Sequence, residues 1–423
     1  MKVWTMYHKT VLKNGVRIIS EQLKHLRSVS LAIWVGAGSR NEMKSENGVF
    51  HFTEHMIFKG TENRSSFQIA KELDAIGGLS NAFTGKEHTC FHARVLGEHV
   101  VDLADILSDI FLHSTFNVDD LERERQVILQ EISMVEDAPD DHIHVLFNRL
   151  FWADHPIGMS VLGDEKSVSA IERETIVRYI NTFYVPERIL VAGAGNVDHQ
   201  SLVSYFEPLF SQLEAGNASP PNDIPRSSAS VSLKYRDLEQ VHICLGGEAP
   251  SQLSDKRFAC AALNTILGGN MSSRLFQEIR ENRGLAYAVY SFLSSYSDAG
   301  LLGVYVATDP QNVNPVLMAT QNVIKKICKG EISRSDLAAA VDHLIGGIYL
   351  SSESADNRMM RIAKNEFVFN KYVSYEELVS KLKNVTVDEV VEVANDTFHD
   401  GTVSLSTLGP IVEDDLDTGN LHF

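Results

Sequence analysis

Five residues early in the chain, His51-Phe52-Thr53-Glu54-His55, bring together side chains that can hold and use a metal ion. The histidines stand four apart, so a helix through them puts both imidazoles on one face, one turn apart. Two neutral imidazoles so placed can share a Zn²⁺ at about 2.0–2.1 Å. Glu54 follows His51 by three residues, so its carboxylate reaches the same side, where it can hold an activated water and take its proton. Phe50, Phe52, Met56, Ile57 and Phe58 supply apolar side chains to pack the rest of such a helix. In a chain with 16 histidines the same motif can arise by chance. A catalytic zinc takes three protein ligands and keeps one open position, so a third ligand decides the matter.

The order of the motif is that of the inverzincins. With it the chain resembles the pitrilysin or insulysin family of zinc peptidases, in particular the branch holding the mitochondrial processing peptidase beta subunits and their bacterial relatives. The resemblance runs through Gly48-Val49-Phe50-His51, Phe58-Lys59-Gly60-Thr61 and along the whole chain. It implies a third ligand on a separate helix about 75 residues past the second histidine, where Glu131 stands in Val127-Ile128-Leu129-Gln130-Glu131-Ile132. It also implies a glutamate seven residues earlier, here Glu124. Two helical turns separate the pair, so both can face one metal, Glu131 as ligand and Glu124 orienting a ligand. Taken alone, the two glutamates read equally as a solvated helix face, since most helical glutamate is exposed.

In the second half, Arg280 and Tyr287 stand seven apart in Glu278-Ile279-Arg280-Glu281-Asn282-Arg283-Gly284-Leu285-Ala286-Tyr287. The resemblance makes them a pair that contacts the substrate backbone and the developing oxyanion, a role that suits a guanidinium and a phenol as donors. Without it they read as a surface arginine and a half-buried tyrosine. Asn81-Ala82-Phe83, after the Gly77-Gly78 turn, would by the same resemblance be a strand edge that pairs with an extended peptide. Two subunits are implied to close as a clamshell, with Arg280 and Tyr287 supplied by the partner. A homodimer is expected, with a heterodimer as the alternative. The acidic run Glu136, Asp137, Asp140 and Asp141 could read basic side chains near the cut, or be a solvated loop.

Other candidates carry less. His88 and His92 flank Thr89-Cys90-Phe91, which reads as strand, and are expected to be structural. His142 and His144 would diverge on a helix and are expected at the surface. Gly193-Ala194-Gly195-Asn196 and Gly268-Gly269-Asn270 lack the spacing of phosphate loops and read as turns.

The elements that must position these residues occur twice. Pro, Ser and Asn concentrate between Glu214 and Ser230, where neither a helix nor a central strand can persist. That linker separates 1–213, the expected metal-binding peptidase domain, from 231–423, a domain of the same kind without metal. Val29 to Val35 and Val241 to Leu245 each run into glycines and then a helix. Strand-like segments follow (Ser80 to Val95, Ala286 to Val306), then helices (Val100 to Phe111, Val313 to Ile327). A further pair of helices opens at Asn117-Val118-Asp119-Asp120-Leu121 and Ser333-Arg334-Ser335-Asp336-Leu337. Strands Ile189 to Ala192 and Val403 to Ser406 close the halves. The pattern predicts an α+β fold of two duplicated domains, each a mostly antiparallel sheet with helices packed on one side. In the second copy Cys260, Leu263 and Asn264 stand opposite His51, Glu54 and His55, and Ala340 and Gly347 opposite Glu124 and Glu131. One zinc per chain is therefore expected.

The 423 residues suit two domains, and 44% hydrophobic with 22% charged residues is ordinary for a globular protein. A formal net charge of −18 argues against nucleic acid and favours basic peptides. The four cysteines form no Cys-x-x-Cys pair, which fits a reducing compartment. No run reaches the apolar length of a membrane span, and Met1 to His8 reads as neither signal nor transit peptide. The tail after Pro410, with Glu413, Asp414, Asp415 and Asp417, reads as a solvated acidic end. These features and the resemblance predict a cytoplasmic bacterial metalloendopeptidase. A non-catalytic partner subunit of a processing-peptidase-like complex is the alternative.

Overall fold

The structure, a computed structural model, describes residues 6–153, 155–216, 223–399 and 401–416. Part of the expected linker (217–222), the first five residues and Asp417 lie outside the described residues. Two sheets organise the chain. The first contains β1 (Met6–Val11), β2 (Arg17–Gln22), β3 (Ser28–Val35), β4 (Leu79–Thr84), β5 (Thr89–Leu96) and β6 (Ile189–Gly195), in the order β1-β2-β6-β3-β5-β4. The second contains β7 (Val231–Tyr235), β8 (Val241–Glu248), β9 (Ala286–Ser295), β10 (Gly300–Thr308) and β11 (Ser404–Gly409), in the order β7-β11-β8-β10-β9. Without β1, the first order becomes the second, strand for strand. Even the single parallel pair recurs at the same place, β2 with β6 and β7 with β11, every other neighbouring pair being antiparallel. This is the duplicated α+β fold.

The central strands are apolar on both faces because both faces are covered. In β3, Val29, Leu31, Ile33 and Val35 face a core that includes Phe50, Phe52, Ile110, Ile128 and Phe206 from the helices. Ala32 and Trp34 point the other way and meet Met359, Ile362 and Ala363 of the helix Ala355–Phe369. Fully burying side chains of this size contributes about 1.5–3 kcal/mol each. In the second sheet, Ile243 and Leu245 face one core, while Cys244 and Tyr305 face Ile143, Phe147 and Phe151 of the helix Pro139–Phe151.

The halves have thus exchanged helices. One compact unit consists of the described residues of 1–133, 159–222 and 351–373; the other consists of those of 134–158, 223–350 and 374–423. Residues 134–158 and 351–373 thus lie across the linker from the rest of their units. The exchange also relocates His142 and His144, expected at the surface. His142 is buried; its Nδ1 pairs with Glu136 O at 2.9 Å and its Nε2 with Lys234 Nζ at 3.2 Å. His144 meets the Tyr290 hydroxyl at 2.9 Å and packs edge-on against Phe292. They diverge on the helix as expected, but that helix lies on a sheet. The acidic run is helical too: Asp140 and Asp141 fill a first turn, where they complement the helix dipole.

Candidate metal centre

The motif lies on the helix Val49–Ile57. Its entry is tightly set. Gly48 adopts φ 97°, and a Cβ there would stand 2.6 Å from the Leu162 carbonyl oxygen. The buried Glu42 carboxylate accepts from the Gly48 and Phe50 N–H groups at 2.8 and 2.9 Å and from Asn47 Nδ2 at 2.7 Å. These bonds satisfy backbone donors that a helix start leaves unpaired. Burial nonetheless pushes Glu42 up to about 7. Phe50, Phe52 and Met56 bury the inward side of the helix, leaving His51, Glu54 and His55 partly accessible.

Glu124 and Glu131 come from the helix Val118–Asp137. His51 Nε2 and His55 Nε2 each stand 3.7 Å from Glu131 Oε2. One ligand atom from each of the three residues lies within 4.8 Å of the other two. Tetrahedral ligands at about 2.0–2.1 Å from a zinc stand about 3.4 Å from one another, so the three atoms need only small movements to share an ion. The donor chemistry fits as well. Burial, with a smaller effect from neighbouring His55, pushes the His51 imidazole down to about 4, so at neutral pH it offers a lone pair. His55 Nδ1 lies 3.1 Å from Glu124 Oε2, which fixes that nitrogen as the donor and leaves Nε2 to bind. His51 Nδ1 is buried without a hydrogen-bond partner among the described residues, so the outlet of this ring is also Nε2.

Glu54 stands beside His51, His55 and Glu131. Thr84 donates its hydroxyl to Glu54 Oε2 at 2.6 Å. Burial raises the Glu54 pKa against the lowering effects of the Thr84 bond and His55. Thr84 ends β4, the edge strand in which Asn81, Ala82 and Phe83 pair with His92, Phe91 and Cys90 of β5. The other margin of β4 carries no strand among the described residues. His88 and His92 are packed as structural side chains, His88 against Phe367 at 4.5 Å and His92 against Phe83 at 6.2 Å.

Arg280 and Tyr287 belong to the other unit. There the Arg280 guanidinium lies over the Tyr287 ring at 4.3 Å and over Phe276 at 4.8 Å, and Nη1 donates to the Tyr287 carbonyl at 3.3 Å. Arg280 sits in a π-helical turn, Phe276–Asn282, and Tyr287 near the start of edge strand β9 is 77% exposed. In the same unit Cys260, Leu263 and Ala340 are core residues, and Gly347 has no side chain to offer. Among the described residues no second cluster of metal-ligating side chains forms.

Two contacts at the centre escaped the sequence reading. Thr84 directly follows Asn81-Ala82-Phe83, but nothing in that order tells that its hydroxyl turns to Glu54. Lys59 Nζ lies 2.6 Å from Glu124 Oε1; its signal was its spacing, four residues after His55.

Residues 17–165 match the family model of the insulinases, peptidase family M16, and residues 170–344 match the model described as the M16 inactive domain. The chain is 40% identical over 391 residues to the uncharacterized zinc protease Rv2782c of Mycobacterium tuberculosis, covering 91% of this chain and 89% of that one. It is 36% identical over 393 residues to the uncharacterized zinc protease YmxG of Bacillus subtilis, covering 93% and 96%. Its fold is similar to the crystal structure of a protease from Helicobacter pylori, with a TM-score of 0.90 at 21% identity over 96% of this chain and 100% of that one. It is similar also to the M16 inactive domain structure from Pseudomonas fluorescens, with a TM-score of 0.89 at 20% identity over 96% and 98%. With both family models matched in sequence and two relatives aligned over nearly their whole length, the chain belongs to the insulinase family of peptidases, M16.

Proposed function

We propose that the chain is a zinc-dependent metalloendopeptidase that hydrolyses extended peptides or removes N-terminal segments. The observation that carries this is the convergence of His51 Nε2 and His55 Nε2 on Glu131 Oε2, 3.7 Å from each, with Glu54 held alongside. One zinc per chain, held by these three ligands, would polarise the scissile carbonyl and lower the pKa of a water at the open position. Glu54 takes the proton of the attacking water and passes it to the leaving amine. Thr84 occupies Oε2, so Oε1 is left for the proton. A carboxylate whose pKa is raised by burial is the stronger base for this step.

The free margin of β4 at Asn81, Ala82 and Phe83 would receive the substrate as an added strand. Arg280 and Tyr287 would donate to the oxyanion from the partner of a clamshell homodimer, with a heterodimer as the alternative. The net charge of −18 favours basic peptides. The same proposal assigns the protein to a bacterial cytoplasm: its four cysteines are free, which suits a reducing compartment, and the relatives above are bacterial. No helix among the described residues is long and apolar enough to cross a membrane.

The test is metal analysis with peptide cleavage. The unmodified protein is expected to hold zinc and cut a basic peptide, and to stop when the metal is chelated. Glu54→Gln is expected to hold zinc without cutting. Cleavage by Glu54→Gln at the unmodified rate would remove Glu54 as the base.

A further inference from the structure

We infer that Lys59 is a positioning residue of the metal centre, acting through Glu124 on His55; the inference rests on the zinc-peptidase function proposed above. Lys59 Nζ lies 2.6 Å from Glu124 Oε1, and the other oxygen of that carboxylate lies 3.1 Å from His55 Nδ1. The lysine thus reserves one oxygen and turns the other to the imidazole. Its own backbone is held where the metal helix ends, the Lys59 N–H donating to Met56 O at 3.1 Å. The Glu124 side chain is only 11% exposed and that of Lys59 33%, so the pair is shielded at its carboxylate end.

Charge gives Lys59 a second reason to be there. A divalent ion among three carboxylates (Glu54, Glu124 and Glu131) leaves one uncompensated negative charge, and Lys59 cancels it. Among the described residues it is the only Lys or Arg that pairs with any of the three. A negative charge left in a partly buried site is costly, and without its cation Glu124 would be free to turn toward solvent. His55 would then lose the partner that fixes its tautomer and ring plane.

The experiment is a double-mutant cycle on zinc affinity, read by competition with a chelating dye at one pH. Its members are the unmodified protein, Lys59→Met, Glu124→Gln and the double variant, with Lys59→Arg as the conservative replacement. Loss of the outer partner of a metal-bound histidine costs about 10–100-fold in affinity. Glu124→Gln is expected in that range and Lys59→Met at about tenfold. The double variant should bind no more weakly than Glu124→Gln, because without that carboxylate Lys59 has neither an oxygen to reserve nor a negative charge to cancel. Lys59→Arg should recover most of the affinity. Unchanged affinity in Lys59→Met, or a tenfold loss repeated on the Glu124→Gln background, overturns the inference while leaving the peptidase proposal intact. So does unfolding of Lys59→Met, seen by circular dichroism, that persists in the double variant. An unmodified protein that binds no zinc overturns both.

Discussion

Thr84 Oγ1 donates to Glu54 Oε2 across 2.6 Å, tying the last residue of edge strand β4 to the carboxylate beside His51, His55 and Glu131. The bond leaves Glu54 with one oxygen committed and one available. Removing the hydroxyl frees the carboxylate to rotate and strips a hydrogen bond from a buried charge, worth about 1.5–3 kcal/mol. Thr84→Val keeps the shape of the side chain and is expected to lower kcat at least tenfold, by roughly 1.4 kcal/mol, with zinc content unchanged. Thr84→Ser should restore most of it. A Thr84→Val enzyme with unaltered kcat would show that the strand does not hold the base.

Glu131 is the proposed ligand from outside the motif, and its replacement separates metal binding from helix packing. Its side chain is 37% exposed, so Glu131→Gln should fold normally. The neutral amide is a poor zinc ligand. Affinity should fall by more than the roughly 10–100-fold that losing an outer partner costs. Full zinc occupancy in Glu131→Gln, measured by elemental analysis after dialysis against a weak chelator, would take Glu131 out of the ligand set.

The metal-free protein should lose stability in mild acid through His51. Burial lowers this imidazole from 6.5 to about 4, so between those values the unfolded chain binds a proton that the fold does not. Unfolding free energy therefore falls as pH falls through this window, by about 3 kcal/mol across all of it. His51→Gln should flatten that part of the Tm–pH curve in the presence of a chelator. An unchanged slope in the variant would assign the acid sensitivity to other groups.

The grouping of His51, Glu54 and His55 was legible because residues three and four apart share one face of a helix, whatever the fold around it. The duplication was legible because each half repeats glycine-ended strands and Asp-Leu helix starts at matching intervals, as at Leu121 and Leu337. The helix exchange was not. The apolar stripe of Ile143, Phe147 and Phe151 tells that a helix buries one face, but not which sheet receives it. Met359, Ile362 and Ala363 pose the same ambiguity from the other half. His142 and His144 were misplaced for that reason alone. Glu42 was invisible for a different one: a carboxylate that caps a helix from six residues before Gly48 has no fixed spacing to recognise. Arg280 and Tyr287 could be paired by interval, but the stacking of guanidinium on phenol is a matter of side-chain direction across a π-helical turn.

The exchanged helix Ala355–Phe369 is held by charge as well as by packing. Glu366 is fully buried; its Oε1 lies 2.7 Å from Lys9 Nζ and 3.4 Å from Arg17 Nη1, while those two side chains are 26% and 17% exposed. Lys9 also donates to Asn370 Oδ1 at 2.7 Å. The two sides of this pair are unequal. Glu366→Gln leaves two cations that can turn toward water and an amide that still accepts one hydrogen bond, a cost of about 1–2 kcal/mol. Lys9→Met takes from a buried carboxylate the shorter of its two ion-pair contacts. Its cost should approach the roughly 3–5 kcal/mol of breaking a buried ion pair from one side. Urea unfolding of the two variants measures the difference directly, as midpoints at unchanged slope. The lysine variant is expected to unfold first, and the reverse order would mean that Arg17 alone suffices to hold Glu366 of the helix against the sheet.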